Sequence, residues 1–410
     1  MATVDLLIKN AGELLTLQGP PVPRTKQQMD HLAIIPGGSV AIDHGEIIDV
    51  GRTLRYQADR VIDARGKTVL PGLVDPHTHL VFAGSREFEL DMKLKGKTYE
   101  EILRSGGGIM HTVTATRTAL PDQMREQAVA RLQRMLRYGT TTCEAKSGYG
   151  LQTSTELQIL EIQRDLARSQ PVGIVSTFLG AHAIPPDTTP RDYVDLLIDE
   201  MLPKVAPLAR FCDVFCDRGF FTLAQSRRIL TAGIGHGLRP KLHADELANT
   251  GAAGLAADLK AISADHLLKS SEKNLRAMAT AQVIGVLLPG TPFSLMQSQY
   301  APARRMISLG VPVALATDLN PNCYTENLQF IIQLACYQMR MTPAEAITAA
   351  TYNAACAIGQ NTRIGSLEPG KQADLLILDC PNHLHLAYHF GVNHVDTVVK
   401  NGKVVVKPGG

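Results

Sequence analysis

LPGLVDPHTHLVFAGSREFE, residues 70–89, decides the fold. An apolar run ends at Asp75, and two histidines, His77 and His79, follow two residues apart. On an extended chain, side chains at i and i+2 point to the same face, so both imidazoles project together from the end of a buried strand. Seven further apolar stretches follow: 139–146, 172–182, 211–217, 240–246, 261–267, 282–289 and 311–319. Segments with helical spacing of apolar residues separate them, for example 121–138 and 153–169. Eight strands alternating with helices predict a (β/α)8 TIM-like barrel over residues 71–360. A doubly wound open sheet is the competitor. However, no phosphate-cradling glycine motif follows any of the strands, and Gly106-Gly107-Gly108 comes after a helix candidate.

The two chain ends read differently. Short strands fall at 4–10, 39–51 and 59–72, and again at 365–379 and 395–408. Turn pairs at His44-Gly45 and Asn401-Gly402 have hairpin character. Residues 1–70 and 361–410 therefore predict one small β-sandwich domain composed of both ends, flanking the barrel.

Composition excludes several function classes. Hydrophobic residues make up 45% of the chain, and 41 basic against 39 acidic side chains leave a formal charge of +2. That balance gives no reason to expect nucleic acid or an anionic membrane as partner. The arginines Arg104, Arg131, Arg134 and Arg137 read as solvated helix faces. No apolar run reaches the length of a membrane span, and MATVDLLIKN does not read as a secretory signal. Seven scattered cysteines suit reduced thiols in a cytoplasmic protein, with Cys212 and Cys216 as core residues.

The chemistry-bearing residues cluster at strand ends. His182 ends the third strand candidate, His243 the fifth, His266 the sixth and Asp318 the eighth. Each alone would more often be structural. Together with His77 and His79 they fall where barrel enzymes place their chemistry. Three imidazoles and a carboxylate suit zinc or ferrous iron with one position left open. Such an ion makes water nucleophilic near neutral pH and polarises a scissile carbonyl. Asp318 and His266 are placed to move the water proton. Glu246, three residues past His243, is expected to bond that imidazole and to protonate the leaving nitrogen.

PGLVDPHTH, KLHADE (241–246), SADHL (263–267) and ATDLNPN (316–322) together resemble the amidohydrolase superfamily. Within it, HTHLVFAGSREFE (77–89), SGGGIMHTVTATR (105–117), TTTCEAKSGYGL (140–151) and TFLGAHAIP (177–185) resemble the imidazolonepropionase family over nearly the whole chain. The resemblance implies a homodimeric hydrolase of cyclic C–N bonds, opening 4-imidazolone-5-propanoate to N-formimidoyl-L-glutamate in histidine degradation. It implies one divalent ion, Zn2+ or iron, on His77, His79, His243 and Asp318. The implied substrate contacts are Arg86, Tyr149, His182, Glu246, Asn320, Asn322 and Cys323. Relatives carry glycine and a hydroxyl residue where this chain has Asn322 and Cys323. Binuclear relatives use a lysine at the end of the fourth strand; FCDVFCDRGFF offers none there, which favours one metal.

Arg86 offers a planar cation for bidentate capture of a propanoate. Tyr149, between Gly148 and Gly150, is expected on a flexible loop reaching toward substrate. The alternative activity is deamination of a heterocyclic amine, which would use the same metal ligands but have no carboxylate for Arg86 to hold. A metal-free binding scaffold would require missing ligands, and none is missing.

Overall fold

The computed structural model describes residues 2–407. Eight parallel strands run in sequence order from Leu73–Asp75 through Thr140–Lys146, Gly173–Ala181, Phe211–Cys216, Arg239–Ala244, Ser263–His266 and Ile284–Leu287 to Val313–Leu315. A parallel bridge from Thr78 to Leu319 joins the first strand's extension to the eighth's, closing the barrel. All eight expected strands are present in the expected order, each shortened by a residue or more.

The helices between them form for reasons visible in the sequence. Helix Pro121–Arg137 starts with proline in its first turn, where the missing N–H costs nothing. Met124, Ala128, Leu132 and Met135 form its buried stripe. Arg131 lies within that stripe and corrects the expectation of a solvated arginine face. It is 2% exposed and donates to the carbonyls of Leu80 (2.8 Å) and Phe82 (3.1 Å), with its guanidinium 3.5 Å above the Phe82 ring. Arg134 pairs with Glu326 at 2.9 Å. Arg131 thus ties the loop that follows the first strand to the barrel's outer layer.

Both chain ends build a sandwich of two sheets. One orders Glu46–Gly51, Ser39–Asp43, Thr3–Lys9 and Gln57–Asp63; the other orders Lys403–Val406, Val395–Lys400, Leu375–Leu378, Thr68–Pro71, Glu13–Leu15 and Ile34–Pro36. Leu6, Ile8, Val40 and Ile42 from the first sheet pack against Val69, Leu375, Ile377 and Val399 from the second. Asn401 and Gly402 both take positive φ, as a tight hairpin requires.

Gly72 is the switch between the two units. Pro71 pairs with Leu375 of the sandwich, while Leu73 pairs with Thr140 of the barrel. A β-carbon at Gly72 would stand 2.3 Å from Thr141 Oγ1, so only glycine allows this close crossing. The seven cysteines are unpaired, and Cys212 and Cys216 are buried in the fourth barrel strand as expected.

Candidate metal centre and active site

The predicted ligands converge at the C-terminal end of the barrel. His77 and His79 extend the first strand, His243 lies in the fifth, His266 ends the sixth, and Asp318 follows the eighth. The backbone is left-handed at His266 (φ 74°) and Asp318 (φ 53°), an uncommon conformation for residues other than glycine that turns each side chain at a strand end. One ligand atom from each of His77, His79 and His243 fits within 4.8 Å of the others, and the same holds for His77, His266 and Asp318. Asp318 Oδ1 stands 3.4 Å from His77 Nε2 and 3.6 Å from His79 Nε2.

The fit to a metal ion can be tested on unsatisfied atoms. His77 Nε2, His79 Nδ1, His243 Nε2 and His266 Nδ1 are buried without a hydrogen-bond partner. One such orphan costs roughly 1–3 kcal/mol, and His77, His79 and His243 also bring one ligand atom each within 4.8 Å of the others, so an ion held there would satisfy buried nitrogen that protein atoms leave unpaired. Imidazole nitrogens and a carboxylate are the donors that zinc or iron takes. The residues fit.

Beneath them lies a floor of charge that the sequence did not reveal. Lys146 Nζ stands 2.7 Å from Asp213, 3.0 Å from Glu144 and 3.5 Å from Asp265. Lys241 Nζ is 2.9 Å from Glu144 and 3.2 Å from the Pro76 carbonyl. All five of these side chains are fully buried. Burial opposes charge on Lys146, yet Asp213, Glu144 and Asp265 raise its pKa, so it stays an ammonium. Burial also opposes charge on Asp213, but Lys146 and His243 hold that carboxyl well below its usual range.

Two floor carboxylates reach the predicted ligands from behind. Asp265 Oδ2 is 2.6 Å from His77 Nδ1, which directs the ring's Nε2 lone pair toward the site. Asp213 accepts the His243 backbone N–H at 3.1 Å and stands 3.2 Å from its Nδ1. Asp318 is set from outside, its Oδ2 accepting Thr291 Oγ1 at 2.5 Å.

Above the ligands opens a cleft of about 660 Å³, lined among others by Arg86, Glu89, Lys93, Tyr149, His182, Phe215, Glu246, His266, Asp318, Asn320 and Asn322. His182 stacks on His79 with centroids 4.9 Å apart and interplanar angle 16°. Its Nδ1 donates to the Gly148 carbonyl at 2.9 Å, leaving Nε2 as an acceptor. Burial, aided by His243, pushes His182 down to about 3, so the ring is neutral.

Tyr149 corrects the expectation of a flexible loop. It is 3% exposed, and its ring centroid is 5.4 Å from His79 and 5.1 Å from His182. Buried Glu156 accepts the backbone N–H groups of Gly148, Gly150 and Leu151 at 2.7–3.0 Å, pinning the loop. At Gly148, φ is +106° and a β-carbon would meet the Leu179 carbonyl at 2.7 Å, so glycine is required.

Glu246 also departs from expectation. Its carboxylate stands 3.6 Å from His266 Nε2 rather than against His243. Burial, with Asp318 and Asp217 nearby, pushes its carboxyl well above the usual range. The two residues form an acid–imidazole pair beside the predicted ligands.

Arg86 is in the cleft, but its fork is already engaged. Nε donates to Glu89 Oε1 at 2.7 Å and Nη2 to Oε2 at 2.8 Å. Asn320 and Asn322 reach the cleft wall. The Asn320 side chain is spent on its own loop, accepting the N–H groups of Asn322 (2.8 Å) and Cys323 (3.0 Å). Cys323 is 2% exposed, with Sγ 3.5 Å from the Thr317 carbonyl, and is not brought to the cleft.

Residues 230–405 match a family model described as the amidohydrolase family, and residues 60–107 match a second model of that description. A zinc-bound adenosine deaminase from Xanthomonas campestris superposes with TM-score 0.76 at 19% identity, covering 99% of this chain and 94% of that one. An atrazine chlorohydrolase mutant from Arthrobacter aurescens TC1, complexed with zinc and atraton, gives 0.72 at 19% identity over 98% and 95% of the two chains. Barrel and sandwich have the fold of these structures, and the two family models make the chain an amidohydrolase. At sequence level the chain is 54% identical to the imidazolonepropionase of Geobacillus kaustophilus (strain HTA426), over 98% of both chains. It is 50% identical to that of Alkaliphilus metalliredigens (strain QYMF), over 99% of both. The chain belongs to the imidazolonepropionase family.

Proposed function

We propose that this chain hydrolyses the ring C–N bond of 4-imidazolone-5-propanoate to N-formimidoyl-L-glutamate, a step of histidine degradation, with catalysis in residues 71–360 and the sandwich of 1–70 and 361–410 supporting the barrel. The observation that carries the reading is the convergence of His77, His79, His243, His266 and Asp318, with buried ring nitrogens left unpartnered, beneath a cleft that also contains Arg86 and Lys93.

One ion, Zn2+ or iron, would be held by His77, His79, His243 and Asp318. Bound there, it would supply a Lewis acid that polarises the ring carbonyl and makes water nucleophilic near neutral pH. The single-metal reading is supported by Lys146. This lysine of the second strand belongs to the floor network, where three carboxylates keep it charged and unavailable as a bridge, and Lys241 is held there by Glu144.

The protein's own groups account for the proton transfers. Asp318 has Oδ1 facing the ligands, where it can accept a proton from water, while Thr291 fixes Oδ2. Glu246 and His266, 3.6 Å apart, are placed to pass a proton to the leaving ring nitrogen. Tyr149 and neutral His182 wall one side of the cleft and position the ring. Seven unpaired cysteines suit a cytoplasmic address, and a homodimer is what the family resemblance implies.

Deamination of a heterocyclic amine is the competing reading, given the deaminase among the structural neighbours. The cations of the cleft weigh against it, since a neutral base has no anion for them. Purified protein loaded with zinc or ferrous iron should consume 4-imidazolone-5-propanoate and release N-formimidoylglutamate. Deamination of heterocyclic amines without imidazolone turnover would replace this reading.

A further inference from the structure

The propanoate's charge needs a partner, and Arg86 alone does not provide one. Its Nε/Nη2 edge is the bidentate edge, and Glu89 holds it. Glu89 is 2% exposed and also accepts the Gly108 N–H at 2.7 Å. The glycine segment closes over it so tightly that a β-carbon at Gly107 would stand 2.9 Å from Oε1. Displacing Glu89 would leave a buried carboxylate without its cation, which is strongly unfavourable. Arg86 and Glu89 therefore form a neutral unit, and a second anion beside them would be uncompensated.

Lys93 supplies the missing charge. It sits four residues past Glu89 and seven past Arg86, on one face of the helix Glu87–Leu94, and lines the same cleft. Its Nζ donates to a neutral acceptor, Asn322 Oδ1, at 2.7 Å across the mouth. Among the described residues no carboxylate forms an ion pair with it. By contrast Lys97, also at the cleft, is engaged by Glu101 at 2.8 Å. Asn322 comes from the loop after the eighth strand, so the contact spans from the first strand's helix to the last strand's loop.

We propose that Lys93 is a specificity-determining residue: its ammonium takes the substrate carboxylate, and Asn322 holds that ammonium over the cleft until substrate arrives. The inference rests on the imidazolone-propanoate reading above. An asparagine amide can be exchanged for a carboxylate because it offers the ammonium a dipole, whereas the carboxylate adds the attraction of a full opposite charge. Arg86 then contributes its remaining Nη1 edge and, through Glu89, a fixed wall.

The test compares two substrates on the metal-loaded enzyme: 4-imidazolone-5-propanoate and the analogue with ethyl in place of the propanoate. The parent should prefer the carboxylated substrate. In Lys93→Met that preference should fall by roughly 10- to 100-fold, mostly through KM, on the scale of a lost charge-assisted contact. Lys93→Arg should keep most of it. Equal loss on both substrates, with circular dichroism and metal content retained, would make Lys93 a mouth-supporting residue and overturn the assignment. An unchanged preference in Lys93→Met would also overturn it, while leaving the reaction in place. A parent without preference for the carboxylate would overturn the substrate reading and the Lys93 assignment together.

Discussion

The protein has two interiors built on opposite terms. Between the sandwich sheets, Leu6, Ile8, Val40, Ile42, Val69, Leu375, Ile377 and Val399 meet as aliphatic side chains. Inside the barrel, beneath the histidines, Glu144, Lys146, Asp213, Lys241 and Asp265 are equally buried and all ionisable. The first interior lowers free energy by removing apolar surface from water. The second carries a desolvation cost that hydrophobic residues of similar volume would avoid. Two ammonium groups against three carboxylates leave one formal negative charge under the ligand ring. The difference teaches where chemistry resides: beneath the histidines this chain buries a charge network that orients imidazoles and attracts a cation, whereas the contact between the sandwich sheets is aliphatic.

Breaking the floor should have the largest effect. Lys146→Met leaves three carboxylates facing one another without their shared cation, which should cost about 3–5 kcal/mol of stability. Urea unfolding followed by circular dichroism measures it, and the loss should be accompanied by weaker metal retention as Asp213 and Asp265 lose their geometry. A loss below about 1 kcal/mol would show that the floor is not charge-compensated as described.

Next in size is the acid–imidazole pair at the roof. Glu246→Gln should lower kcat about 10²-fold, near 2.7 kcal/mol of transition-state stabilisation, while metal content stays at the parental level. A kcat within about twofold of the parent removes Glu246 from proton transfer. The smallest effect belongs to the sandwich. Ile377→Val should cost about 0.5–1.5 kcal/mol, with metal content and KM unchanged. If this change lowered metal content, the two interiors would be coupled, and the contrast between them would lose its meaning.

Much of this was legible in the chain. Barrel strands could be read because each is an apolar run flanked by helical periodicity, and the hairpin at Asn401-Gly402 because that pair tolerates two positive φ angles. The ligands were legible because HxH and single His or Asp residues stand where apolar runs stop. The floor was not. In TTTCEAK and KLHADE, the charged side chains alternate with apolar ones, a pattern that elsewhere marks a solvent-facing strand. Only closure of the barrel makes that face an interior. Arg131 misled for a similar reason: its place in the buried stripe was outweighed by its charge, and its partners are the carbonyls of Leu80 and Phe82, which have no sequence signal. The partner of Arg86, Glu89, lies three residues on at a helix start and was within reach of spacing alone, whereas the partner of Glu246 depended on where the sixth strand ends, which spacing does not specify.

The central claim is that the floor and the strand ends exist to hold one catalytic metal ion. It is tested most directly by measuring metal content and imidazolone turnover together on the parent and on His243→Ala, with circular dichroism as the control. The parent should hold close to one equivalent of zinc or iron per chain and turn over 4-imidazolone-5-propanoate. In His243→Ala, metal should fall well below one equivalent and turnover should disappear, with the β/α spectrum retained. A variant that keeps a full equivalent of metal would show that His243 is not a ligand, and a parent that turns over substrate after complete metal removal would contradict the account at its root.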